Sequence, residues 1–294
     1  MLYRRKVLLN ILHEFNSKLP RLSLLKLALL VTRTTGATQC YDFVPYKYGA
    51  FSYSLYSDIN ALTREGTVSE SGKDIVLNSF NCEDYKIKST DMQAIRFVHS
   101  QFPTASTTDL ITYTYNKYPF FASKSTLTQY ITPEIKQKIQ ECISNDKSTE
   151  LFTIGYEGIS CEEYLDRLLI NNVALLIDVR KNPISMKYGF TKNLLAKHVQ
   201  DLGIKYLHLP ELGIESEERQ NLETYQDYKG LFEKYAKTTL LKNQQALEYI
   251  MTLLRKNKKV ALTCFEKDYH YCHRGVIAQK LQTLPSWKYK LTHI

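Results

Sequence analysis

The 294-residue sequence has no apolar run long enough to cross a membrane. Its most hydrophobic stretch, Leu22 to Val31, is short and interrupted by Ser23 and Lys26. Arg4, Arg5 and Lys6 lie near the start, but no small-residue cleavage site follows them, so a signal peptide is not expected. The six cysteines, spread from Cys40 to Cys272, lack the density of a disulfide-stapled secreted domain. A reducing cytoplasm is therefore the expected setting, with no membrane partner. Glycine-rich phosphate loops are missing too. Gly155-Tyr156-Glu157-Gly158 does not make the dinucleotide fingerprint, and no Gly-Lys-Ser/Thr follows a glycine loop. Seven residues separate Cys264 from Cys272, with His270 and His273 close by, but there is no second Cys-x-x-Cys knuckle. Neither a metal nor another cofactor is expected.

What is present fits a soluble globular chain. The length suffices for two domains, and 44% hydrophobic with 23% charged residues is ordinary. The formal charge of +9 makes nucleic acid, DNA above all, or a nucleotide a plausible partner, though no long Lys/Arg block concentrates it. The 22 tyrosines suit base stacking as well as half-buried packing.

Residues 1–145 read as a mostly helical domain with a short β-wing. Val7, Leu8, Ile11, Leu12 and Phe15 make one helical stripe, and a second helix spans about Ser23 to Thr34. Pro45 forbids a helix through Phe43 to Ser52. A third helix runs from Ser54 to Arg64 with Ser52 as a possible cap, and Gly66-Thr67-Val68 starts a strand. This is the order of a winged helix-turn-helix. The stretch Phe43-x-Pro45-Tyr46-x-Tyr48-Gly49-x-Phe51-Ser52, then Asp58-Ile59 and Leu62, resembles the module of SocA-type antitoxins and related phage-defence proteins. Tyr118-Pro119-Phe120-Phe121-Ala122 resembles its closing segment, while Ala50 stands where that family usually has proline. The resemblance implies a DNA-binding or protein-docking surface. Lys47, Tyr48, Ser52 and Tyr53 are the candidate nucleic-acid contacts. Alternatively, Tyr46, Tyr48 and Phe51 are simply core. A polar linker follows, from Thr132 to Thr149, with Pro133 opening a short helix.

Residues 151–294 alternate strand and helix patterns. Apolar strands are expected at Leu151 to Gly155, Ala174 to Val179, Ile204 to Leu209, up to Cys264, and Tyr289 to Ile294. Helices are expected after Ser160, where Glu163 could complete a capping box, after Thr191, from about Tyr225 to Arg255 with a break near Thr238-Thr239, and from Cys272. The pattern argues an α/β fold: a doubly wound, flavodoxin-like parallel sheet of about five strands. In such sheets ligands sit beyond the carboxyl ends of the strands. Those ends carry Tyr156 and Glu157, Asp178, Arg180 and Ser185, Glu211, then Cys264 and Glu266. The motif Cys272-His273-Arg274 opens the last helix beside them. Arg180 and Arg274 could clamp an anion, and Glu157 or Glu266 could serve as general acid or base. At a helix N-terminus, Cys272 should have the lower thiol pKa and Cys264 the slower thiol. Cys272 could be a nucleophile with His273 beside it, although neighbours on a helix do not face each other. Each residue alone also has a plain structural reading, from buried core thiols to an Asp178–Arg180 ion pair.

Thr153-Ile154-Gly155-Tyr156-Glu157-Gly158, Asp178-Val179-Arg180-x-Asn182-Pro183-x-Ser185, Gly189-Phe190, Leu209-Pro210-Glu211-Leu212-Gly213 and Cys264-x-Glu266…Cys272-His273-Arg274 resemble the domain-of-unknown-function family 488, over residues 151–294. Ile214 departs from the second glycine common there. The resemblance implies a fold and a shared site without naming a substrate. Catalysis would rest on Cys264, Glu266, Cys272 and Arg274. Ligand binding would rest on Tyr156, Glu157, Asp178, Arg180, Ser185, Glu211 and His273. Three functions remain open. One is an enzyme on nucleic acid or nucleotides, in DNA repair or phage defence. The second is a DNA-binding regulator sensing a nucleotide or redox state. The third is a protein-interaction component of a defence system.

Overall fold

A computed structural model describes residues 1–104, 106–219 and 222–294. The chain divides into two compact units, Met1–Cys142 and Ile143–Ile294.

In the first unit, α1 (Tyr3–Glu14), β1 (Lys18–Pro20) and α2 (Arg21–Thr32) lead into a hairpin of β2 (Val44–Tyr46) and β3 (Gly49–Phe51). Then come α3 (Tyr53–Arg64) and a second hairpin, β4 (Val68–Ser71) with β5 (Asp74–Leu77). α4 (Ser89–Gln101), α5 (Thr107–Lys117) and α6 (Pro133–Cys142) complete it. α2 is buried from Ser23 to Val31 on all sides, the leucines of that stretch, Ala28 and Val31 going into the core together with Ser23 and Lys26. Leu24 and Leu27 of α2 join Leu8 and Leu12 of α1 and Leu55, Ile59 and Leu62 of α3 in one core. Ser52 caps α3 by accepting from the Leu55 N–H, as the sequence suggested. β1 returns to pair with β5, giving an antiparallel sheet of order β1-β5-β4. That strand was not legible: at three residues it is too short to show an alternation.

The second unit runs β6 (Glu150–Gly155), α7 (Cys161–Ile170), β7 (Leu175–Asp178), α8 (Lys192–Asp201) and β8 (Lys205–His208). It continues with α9 (Tyr225–Lys237), α10 (Thr239–Lys242), α11 (Gln244–Asn257), β9 (Lys259–Cys264), α12 (His273–Gln282) and β10 (Lys290–His293). The five strands form one parallel sheet in the order β10-β6-β9-β7-β8. Alternate residues such as Leu175, Ile177, Val260 and Leu262 pack with Leu247, Ile250 and Leu254 of α11 and Ile277 and Leu281 of α12. On the opposite face Tyr164 of α7 donates to the Thr263 hydroxyl. Helices thus cover both faces, as the near-continuous burial of β6, β7 and β9 requires. This is the doubly wound α/β architecture expected, with its own strand order rather than flavodoxin's 2-1-3-4-5. Only half the expected capping box forms: Ser160 accepts from the Glu163 N–H, while the Glu163 carboxylate turns to Arg167.

No helix among the described residues is long and apolar enough to cross a membrane.

Candidate functional site

Register decides what meets at the carboxyl edge of the sheet. Gly155 lies opposite Cys264, and Asp178 lies opposite both Thr263 and His208. The strand ends that the sequence singled out therefore share one edge. Beyond β9 the chain turns sharply over β6. The Phe265 carbonyl accepts the N–H groups of Tyr156 and Glu157, and the Glu157 carboxylate accepts the Lys267 N–H. A Cβ on Gly155 would stand 1.8 Å from the Glu266 carbonyl oxygen, so only glycine lets this loop descend. Gly275 performs the same service for α12, where a Cβ would stand 2.3 Å from the Tyr269 carbonyl oxygen.

Two arginines expected to clamp an anion are already engaged. Arg180 forks onto Asp178 (2.8 and 2.6 Å), and its Nη1 donates to the Tyr156 hydroxyl and the Phe190 carbonyl, each at 2.8 Å. Tyr206 donates to the same Asp178 carboxylate at 2.7 Å. Burial opposes the Arg180 charge, but Asp178 outweighs it and holds the guanidinium above its ordinary pKa. Tyr156, which lines the cleft, stacks on Phe190 with ring centroids 4.1 Å apart. Arg274 is buried and donates to the Glu266 and Lys267 carbonyls at 2.5 and 2.9 Å. It fixes the loop that carries Glu266. The Arg180–Arg274 anion clamp is thus corrected: one guanidinium is spent on a carboxylate, the other on backbone.

The contested centre is a few ångströms away. Cys264 ends β9 with its Sγ 3.3 Å from Glu266 Oε2 and 3.6 Å from His273 Nδ1. Arg219, from a short turn after β8, donates to Glu266 Oε1 at 2.7 Å and to His273 Nδ1 at 2.8 Å. His273 Nε2 lies 2.9 Å from the Val179 carbonyl. A carbonyl only accepts and a guanidinium only donates, which assigns His273 as the neutral Nε2–H tautomer. The Cys264 sulfur pulls for a second proton on that ring against its burial, and Arg219 opposes it by using the Nδ1 lone pair.

The thiols reverse the expected order. Burial would raise Cys264, but a hydrogen bond from the Cys272 thiol, with His273 and Arg219 nearby, holds it well below the ordinary range. Cys272 is pushed well up, first by burial and then by its role as donor to Cys264. Its position at the start of α12 does not help it, because its side chain makes no capping bond. Glu266 is raised by burial and by the adjacent Cys264, with Arg219 opposing. The thiol donates to this carboxylate, and the environment weakens the sulfur's hold on a proton while strengthening the oxygen's. Cys272 lies in extended backbone just outside the helix, so the rule that helical neighbours diverge does not apply to it and His273. Ligand atoms of Cys264, Cys272 and His273 all fall within 4.8 Å of one another, a grouping that the missing second knuckle had argued against.

A cleft of about 330 Å³ opens above this centre, lined by Arg180, Lys181, Ser185, Arg219, Cys264 and His273 among others. Ser185 accepts the Lys187 N–H there. Ile184 and Met186 stand exposed on its rim. Glu211 is not brought in: it is exposed on the turn after β8, and its backbone carbonyl accepts from Asn243. Glu157 serves the loop backbone rather than the cleft. Arg219 is the residue that sequence reasoning missed, since it sits in a polar stretch with neither periodicity nor motif.

In the first unit, Lys47 and Tyr48 are exposed at the β2–β3 turn and line a groove of about 870 Å³. Ser52 and Tyr53 are buried, and the Ser52 hydroxyl is committed to the α3 cap, so these two are not surface contacts.

The geometry defines a doubly wound parallel α/β unit with a thiol, imidazole and carboxyl cluster at its carboxyl edge. Residues 160–281, within that unit, match the family model described as Domain of unknown function DUF488. No curated protein and no solved structure matches the chain.

Proposed function

We propose that the C-terminal unit is an enzyme processing a nucleotide or nucleic acid in the cleft over Cys264, targeted by the N-terminal unit. The supporting observation is the convergence of Cys264, Glu266, His273 and Arg219 beneath a cleft with cationic walls. Arg180 is neutralised by Asp178, so the charges offered to an anionic substrate are Arg219 and Lys181. The Lys181 pair with Glu215 is solvent-exposed and therefore weak enough to exchange for a phosphate. Exposed Ile184 and Met186 on the rim would face an apolar base. Glu266, with its proton affinity raised, is the acid–base group, and Arg274 positions it through the loop carbonyls. The setting suited to such an enzyme is DNA repair or phage defence.

A second reading makes the chain a DNA-binding regulator whose C-terminal unit senses a nucleotide or redox state. The order α1-β1-α2-α3-β4-β5, interrupted by the β2–β3 hairpin between α2 and α3 and with β1 paired to the strand after the wing turn, supports a winged helix in the first unit. Incubating the full chain with nucleotides and labelled oligonucleotides separates the readings. The enzyme reading expects product formation that Glu266→Gln removes. Salt-sensitive DNA binding with no turnover of any substrate would replace it with the regulator.

A further inference from the structure

We propose that Cys264, Cys272 and His273 hold one Zn²⁺ ion, with its fourth position open to the cleft. The first observation is the donor set: two sulfurs and one imidazole nitrogen, buried together and mutually within 4.8 Å. Ligands of one tetrahedral zinc lie about 3.5 to 4 Å apart, so the 3.6 Å between Cys264 Sγ and His273 Nδ1 fits without movement. The second is the orientation of the ring. His273 gives Nε2–H to the Val179 carbonyl and turns Nδ1 toward the sulfurs, which is how a metal-bound imidazole is held. The third is that a cation already contacts this position. The Arg219 guanidinium touches Nδ1 at 2.8 Å and Glu266 at 2.7 Å. It is held there by the Glu266 carboxylate, and its partly exposed side chain can retreat toward the cleft.

Two sulfurs and one nitrogen favour zinc over magnesium or calcium, which take oxygen ligands. Three protein ligands leave the fourth position for water or substrate, the pattern of a reactive rather than a structural zinc. Glu266 stands beside that position without joining the ligand group. Binding requires both cysteines as thiolates, and their protons leave to solvent. The role of the ion rests on the enzymatic reading above, while the site itself does not.

The test uses the full chain. Its zinc content is measured after purification without chelators, and the stripped protein is then titrated with Co²⁺. One ion per chain and a sulfur-to-cobalt charge-transfer band, displaced by Zn²⁺, are expected. Cys272→Ser and His273→Ala should each weaken uptake by roughly tenfold or more. Arg219→Ala should bind as tightly as the natural chain or more tightly, because a competing cation is gone. A natural chain with no zinc and no sulfur–cobalt band overturns the site, and that measurement does not depend on how any variant folds. A band unchanged in Cys272→Ser overturns it as well. Nucleotide binding is followed in parallel on the stripped protein. Loss of the metal result with nucleotide binding intact removes the zinc site alone. Metal uptake without nucleotide binding or turnover removes the enzymatic reading alone.

Discussion

Both units bury charge, and they treat it differently. In the N-terminal unit, Asp58 of α3 is fully buried and accepts from Arg4 and Arg5 of α1 and from Tyr41. In the C-terminal unit, Asp178 is just as buried and is saturated by Arg180 and Tyr206. These are scaffold networks, in which one buried carboxylate accepts from several side-chain donors. The Cys264 centre differs in kind. One Nδ1 lone pair is sought by Arg219 and by a proton, and one proton is shared between Cys264 and Glu266. Burial alone does not mark a site, since all three clusters are buried; competition for the same lone pair or proton does.

The widest separation should come from removing each buried aspartate. Asp178→Ala strands the Arg180 guanidinium, which is only 6% exposed, and should cost about 3–5 kcal/mol. Asp58→Ala leaves Arg4 and Arg5, whose side chains are 38% and 18% exposed and can turn to water, so about 1.5–3 kcal/mol is expected. Urea unfolding of the full chain reads both. Equal costs would mean that solvent access does not distinguish the networks.

The sequence carried the frame of this comparison further than its partners. Buried strands of four to six residues announce themselves as apolar runs, so β6, β7 and β9 and the residues at their ends were legible. The break between α9 and α11 was legible in Thr238-Thr239. What could not be read was where each charged side chain ends. Arg274 binds backbone carbonyls, and no residue type marks a carbonyl as its acceptor. Arg219 meets His273 across 54 positions from a turn with no pattern. The thiol order failed for a related reason. Helix position favours Cys272, but burial first and donation to Cys264 second outweigh the helix end.

Lys26 sharpens the contrast from the other side, being a buried charge with no acidic partner among the described residues. Its Nζ donates to the Tyr48 carbonyl at 2.6 Å, and burial lowers its pKa to about 7 from 10.5. Below pH 7 folded and unfolded chains both carry the proton, and the full desolvation cost falls on the fold. Between about pH 7 and 10.5 the unfolded chain holds a proton that the folded one has released, so stability rises with pH. Lys26→Met should therefore stabilise the protein by on the order of 1–3 kcal/mol at pH 6, with the gain shrinking toward pH 9. Melting temperatures of both chains across that range test it. A difference independent of pH would show that the carbonyl bonds, not the charge, govern this position.

The smallest stability change should come from the centre itself. Arg219→Ala removes a guanidinium that is 31% exposed, from a carboxylate whose proton affinity is already raised by burial and by Cys264. Glu266 can then take up a proton instead of standing as an unpaired charge, and His273 Nδ1 becomes available to the sulfurs. The penalty should stay within about 1 kcal/mol, the range of partly exposed ion pairs. Turnover, by contrast, should fall, because this is the cation on the proposed substrate path. Unfolding and product formation measured on the same preparation give both numbers. A cost as large as that of Asp178→Ala would place Arg219 among the scaffold networks, and the distinction between saturated and contested charge would no longer locate the site.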